Sequence, residues 1–161
     1  MRRLGTWLRG VAVAGLLSTV LPGVVAAASQ EQQELTAAKR SWQSTGLASY
    51  EYGYRKYCAC HPDKPPETVV TVRGGSVVGV RHRPVGYDRE VPAEARNLQY
   101  YWTVDGLFDL LAAAFDRGAQ VRVAYDAARG FPTELHIDYD KNAIGDELDI
   151  ELTQVVPLTG G

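Results

Sequence analysis

Across residues 103–140 the hydrophobic period changes from 3.6 residues to two with almost no linker between, so a helix must hand the chain directly to a β-hairpin. Val104, Leu107, Phe108, Leu111 and Phe115 fall at i, i+3, i+4, i+7 and i+11 and share one helical face. Thr103 is suited to cap the helix, Asp105 complements the positive helix start, and Arg117-Gly118 supplies a last-turn cation and a residue able to turn left-handed. These signals predict a helix over residues 104–117. Val121, Val123 and Tyr125 then alternate with Gln120, Arg122 and Ala124. After the Arg129-Gly130-Phe131-Pro132 turn, Leu135, Ile137 and Tyr139 alternate with Glu134, His136 and Asp138. A helix and a hairpin with one apolar face each are most simply satisfied by packing those faces together, which points to an α+β fold in two layers.

Residues 1–28 read as a signal peptide. Arg2, Arg3 and Arg9 lead an apolar run over residues 11–25, and Ala26-Ala27-Ala28 closes it. The run is shorter than the ~20 residues a membrane-spanning helix needs, so cleavage after Ala28 is expected rather than retention as an anchor. Leu4-Gly5-Thr6-Trp7 fits a twin-arginine signal poorly, and no cysteine adjoins the cleavage point to carry a lipid. The expected location is secreted, periplasmic or otherwise in the cell envelope, with no transmembrane segment left. Residues 29–161 suffice for one domain with one core. Losing three arginines and no acid takes the net charge from −2 to −5. That argues against nucleic acid or an anionic membrane as partner and leaves a peptide, a small ligand or an envelope component open.

Upstream of the central stretch, residues 30–44 carry Leu35, Ala38 and Trp42 at helical spacing and stop at Gly46. A meander follows: Tyr50, Tyr52 and Tyr54 alternate, residues 68–73 are β-branched, and Gly74-Gly75 turns the chain into a strand over residues 77–83. No helix follows Gly75 and no G-x-x-x-x-G-K pattern is present, so this pair reads as a turn and not a phosphate cradle. Residues 84–102 read as a surface loop or lid joining the halves. The last strand is expected over residues 147–152, with Leu148, Ile150 and Leu152 inward. The string of one helix and three strands occurs twice, which fits two α-β-β-β units or one α+β domain with an antiparallel meander sheet and two helices.

Trp42, Tyr50-x-Tyr52, Cys58-x-Cys60, Gly75-x-Val77-Val78, Val104-Asp105-Gly106-Leu107-Phe108, Tyr125-Asp126, Gly130-x-Pro132-Thr133, Asp138 and Asp146-Glu147 occur in an order and spacing that give the chain a likeness. It resembles a family of secreted bacterial proteins known only as a domain of unknown function, over nearly all of residues 29–161. The resemblance implies export and a single domain, and it brings no activity, cofactor or catalytic residue.

Three constellations bear on chemistry. Cys58 and Cys60 are the only cysteines, and with His61 they admit a local disulfide, a copper or zinc site, or free thiols. Residues two apart in a strand lie roughly 6.6 Å apart at Cα, near the upper limit for bridging, so a disulfide needs a kink that His61-Pro62 can supply. A metal would want a further ligand that the sequence does not clearly offer. Asp138, Asp140, Asn142, Asp146 and Asp149 fall at positions 1, 3, 5, 9 and 12 of a calcium-loop template. However, Ala143 stands where that turn demands Gly, Asp149 is shorter than the usual Glu, and the flanks read as strands, so a solvated acidic hairpin is the plainer reading. Glu134, His136 and Asp138 project together from one strand face and could form an acid–base pair for a small hydrolase, but no nucleophile motif accompanies them. His82, within Arg81-His82-Arg83, reads as surface, and the alternating tyrosines as core. The sequence therefore predicts an exported, non-enzymatic binding or envelope-associated domain with no cofactor. The alternative is a metal-binding or redox module at Cys58, Cys60 and His61.

Overall fold

Both helices start where their capping residues allow. In the computed structural model, which describes residues 29–57, 67–82, 89–93 and 95–159, Ser29 caps α1 (Gln30–Ser44) in a reciprocal capping box with Gln32. Thr103 caps α2 (Val104–Asp116) by accepting from the Gly106 N–H at 3.0 Å. Gly118 takes φ +74° just beyond α2, ending it where the Arg117-Gly118 pair predicts.

The strands are β1 (Tyr50–Tyr57), β2 (Thr68–Arg73), β3 (Ser76–His82), β4 (Val91–Pro92), β5 (Gln120–Tyr125), β6 (Pro132–Asp138) and β7 (Leu148–Pro157). They form one antiparallel sheet in the order β4-β3-β2-β1-β7-β6-β5. The expected α+β architecture is present: two meanders, each preceded by a helix, with both helices on one face of an open sheet. The seam between the halves is the β1–β7 pair, which joins the first and last strands of the described residues.

Alternation decides which side chains meet the helices. Tyr50, Tyr52, Val70, Val72, Ile137 and Ile150 are buried there against Leu107, Phe108 and Leu111 of α2 and Trp42 of α1. The tyrosines are core, as their spacing predicts. Trp42 meets the edge of Tyr50 at 5.2 Å between ring centroids, and Tyr50, Tyr52, Tyr54 and Tyr101 continue the run at 6.1, 6.3 and 5.4 Å. Two of the hydroxyls, those of Tyr50 and Tyr52, hold the start of α2. The Tyr50 hydroxyl accepts from the Val104 N–H at 2.9 Å, and the Tyr52 hydroxyl donates to the Trp102 carbonyl. Burial pushes the Tyr50 phenol up to about 12 and raises that of Tyr52 well above its ordinary value.

Two segments differ from the sequence reading. Within residues 84–102, the described part is more than a loop or lid: β4 pairs with Arg81 and His82 of β3, and a 3-10 helix (Ala95–Tyr100) follows. Leu98, Tyr101 and Trp102 pack against the core, so this segment closes one end of it. The last strand also runs past Leu152 to Pro157. Glu51 pairs with Val156 and Gly53 with Thr153, which leaves Gln154 and Val155 opposite the single residue Tyr52. Gln154 takes φ 44° at this β-bulge, and the inward position passes from Leu152 to Val155. The broken period of two is why the strand's second half is not evident in the sequence. Among the described residues no helix is long and apolar enough to cross a membrane.

Candidate functional site

The sheet face away from the helices carries the polar halves of the same strands. Register aligns them in two rows that cross four strands. One row is Arg122, His136, Asp149 and Tyr57; the next is Ala124, Glu134, Glu151 and Arg55. Except for Arg55, these side chains line an open depression of about 530 Å³, within the usual range for small-molecule sites. Ala124 contributes room because its methyl group stands beside longer neighbours. A second depression of about 370 Å³, between the cap residue Ser29, Glu31 of α1 and the start of β5, borders the first at Arg122 and His136.

Hydrogen bonds fix much of the lining. His136 Nδ1 lies 2.6 Å from Asp149 Oδ1, which leaves Nε2 as the ring nitrogen able to meet a ligand. Tyr57 donates to Glu151 Oε2 at 2.6 Å, and this hydrogen bond to a carboxylate raises the phenol's pKa. Arg55 Nη1 donates to Glu151 Oε1 at 3.0 Å, while its Nη2 reaches Glu67 Oε2 at 2.8 Å. Glu67 also accepts from Thr153 Oγ1 at 3.0 Å. Gly53 makes this crossing possible, because a Cβ there would collide with the Thr153 hydroxyl and the Glu67 carboxyl.

Charge is unevenly committed across this face. On the far side, Arg81 donates to Glu51 and Glu90, and Thr71 donates to Glu51; the Arg81 bonds, with help from Thr71, lower the Glu51 pKa. That cluster satisfies itself. In the depression, Arg122 and Glu134 are both exposed, and among the described residues neither is seen in an ion pair or a side-chain hydrogen bond. They are the charges most available to a ligand.

The predicted residues are distributed as follows. Glu134 and His136 line the depression; Asp138 lies farther along the same strand face, outside the lining, with a shielded Oδ1 that has no hydrogen-bond partner among the described residues. Asp149 leaves the acidic run to pair with His136. Asp140 accepts from the Asn142 N–H and Nδ2 at 3.0 and 3.1 Å, forming a local turn. Asp146 sits in the same connection with a shielded Oδ1 of its own. Among the described residues no group of three or more His, Cys, Asp or Glu side chains is placed to hold a metal ion. Cys58, Cys60 and His61 lie outside the described residues. His82 ends β3, across the sheet from the depression.

Sequence reasoning did not single out Arg122, Ala124, Tyr57 or Glu151. The first two are legible in principle, since the hairpin register sets Arg122 opposite His136 and Ala124 opposite Glu134. Tyr57 and Glu151 depend on the β1–β7 pairing, which no local pattern announces.

No curated protein and no solved structure matches the chain. A family model does, over residues 34–157, which contain every strand and every residue of the larger depression, and the chain belongs to this family of unknown function, DUF6174.

Proposed function

We propose that this chain is an exported, non-enzymatic domain that binds a small ligand or peptide on the open face of its sheet. The observation that carries the reading is the depression over β5, β6, β7 and β1, where the uncommitted charges of Arg122 and Glu134 flank His136. Binding is favoured over covalent catalysis because the described lining has no Ser, Thr or Cys, and its one hydroxyl, on Tyr57, is held by Glu151. Export rests on the arginine-led apolar segment before Ser29.

Amide chemical shifts of 15N-labelled protein, titrated with L-lysine, spermidine, trialanine and N-acetylglucosamine, test the site. A ligand should move the amides of Ala124, Leu135 and Ile150, and Ala124→Trp, which fills the depression from an exposed position, should abolish the change. Four titrations that leave these amides unmoved at millimolar concentration would reject the reading.

The short His136–Asp149 contact favours one second reading, in which His136 acts as a general base toward water. Hydrolysis of p-nitrophenyl acetate or p-nitrophenyl phosphate above the buffer rate, lost in His136→Gln, would replace binding by catalysis.

A further inference from the structure

We propose that the occupant of this site is an extended basic peptide that adds to the sheet as a strand beside β5. The proposal rests on the binding reading above and names its ligand. Among the described residues β5 is the last strand of the sheet, paired only with β6 along Gln120–Tyr125. A strand edge exposes unpaired backbone donors and acceptors, and proteins usually blunt it with Pro, bulges, lysines or short length. The opposite edge shows this, since β4 has two residues and one is Pro92. By contrast β5 has six residues, no Pro, no Lys and no irregularity before Ala124.

Both depressions lie along this edge and share Arg122. A peptide strand turns successive side chains to opposite faces. One side chain would therefore enter the larger depression on the open face, while the next would turn toward Phe115 and Val121 in the smaller one. This combination of backbone bonding with alternate side-chain pockets is how sheet edges recognise peptides.

Charge selects what enters. The larger depression holds Glu134, Asp149 and Glu151 against Arg122, and Glu31 lines the smaller one. Asp149 is drawn to His136 and Glu151 to Arg55 and Tyr57, so Glu134 is the carboxylate most open to a new cation. Glu134 pairs with Ala124 across the hairpin. A residue added opposite Ala124 would sit two strand spacings from Glu134, roughly 9.6 Å at Cα, and the Ala124 methyl leaves the path between them clear. A lysine or arginine can reach that far across the strand and an acidic residue would be repelled. The residues beside it, opposite Val123 and Tyr125, turn to the helix side and should be apolar; one three positions along would meet Val121 and Phe115.

The test uses acetyl-Thr-Val-Lys-Val-Thr-amide, its Glu-for-Lys counterpart, and a form of the Lys peptide N-methylated at alternate residues. The Lys peptide should slow hydrogen exchange at alternate amides of β5 and bind about tenfold tighter than the Glu peptide. N-methylation, which removes the strand's donors, should abolish binding. Glu134→Gln, at an exposed position, should level the two charged peptides without lowering the melting temperature. Equal binding of the N-methylated peptide, with shifts at Leu135 and Ile150 but no β5 protection, would overturn strand addition and leave the binding site standing. Equal affinity for the Glu peptide would overturn the charge selection. Protection of β5 that follows protein concentration instead of peptide would assign the edge to a second copy of the chain and overturn the peptide.

Discussion

Phe108→Ala tests the packing that positions the sheet. The ring is fully buried and stacks on Tyr125, with centroids 6.3 Å apart and planes 10° from parallel. Emptying such a site costs about 3 to 5 kcal/mol, the transfer free energy of the ring plus the cavity it leaves. For a domain of about 130 residues the unfolding entropy near the midpoint is roughly 0.27 kcal/mol per kelvin, so the melting temperature should fall by roughly 10 to 18 °C. That is a large share of the 5 to 15 kcal/mol typical of whole domains. Phe115→Ala provides the internal control. Its ring belongs to the same helical stripe but is half-buried near the C-terminus of α2, so about 1 kcal/mol is expected. Thermal unfolding followed by circular dichroism measures both. A Phe108→Ala midpoint within 3 °C of wild type, or no lower than that of Phe115→Ala, would refute the argument that α2 is held by this face.

Further perturbations probe other parts of the chain. Gly130 has φ +79° and a Cβ there would lie 2.5 Å from the Ala38 carbonyl oxygen, so Gly130→Ala should cost more than about 2 kcal/mol in urea denaturation; a neutral result would mean that α1 does not pack on this turn. Tyr50, Tyr52 and Tyr54 stay protonated in the fold well above the ordinary value of 10, because burial disfavours the phenolate. The folded state then binds more protons than the unfolded one, so stability is whole below pH 10 and falls as pH rises toward 12, by roughly 1.4 kcal/mol per pH unit for each tyrosine; a flat stability profile across this window would contradict it. Ala124→Trp should change stability by no more than about 0.5 kcal/mol, since the position is exposed; a larger loss would spoil it as a probe of the depression. Cys58 and Cys60 are expected to form a disulfide that reduction removes with little change in melting temperature, because the loop it closes is very short. A stoichiometric copper or zinc ion, lost with stability on chelation, would instead make Cys58, Cys60 and His61 ligands.

Local periodicity made much of the fold legible. The α2 stripe, its Thr103 cap and the alternation of β5 and β6 each depend on neighbours a few residues away, and each occurs where the spacing places it, except that β6 ends at Asp138 and leaves Tyr139 exposed. What escaped depends on partners far along the chain. The 3-10 helix has no period long enough to read, and it is held by Leu98, Tyr101 and Trp102 reaching a core that other strands build. The second half of β7 follows a bulge whose Gln154 takes a left-handed conformation that the residue type gives no reason to expect.

The candidate site shows the same division more sharply. Glu134 and His136 are evident as neighbours on one strand face, and the hairpin turn is enough to bring Arg122 and Ala124 beside them. Asp149 illustrates where linear reasoning fails. At the twelfth position of an acidic run it resembles a loop ligand, yet in β7 it stands directly opposite His136 and bonds it at 2.6 Å. Glu151, two residues on, then faces Arg55 because β7 enters the sheet beside β1. The depression therefore exists only after the first and last strands have joined: one wall comes from the β5–β6 hairpin and the other from Tyr57, with β7 between them. Recognition at this face depends on the seam that closes the fold, so a substitution that shifts the bulge at Gln154 should disturb the row from Arg55 to Ala124 even though it touches no lining residue.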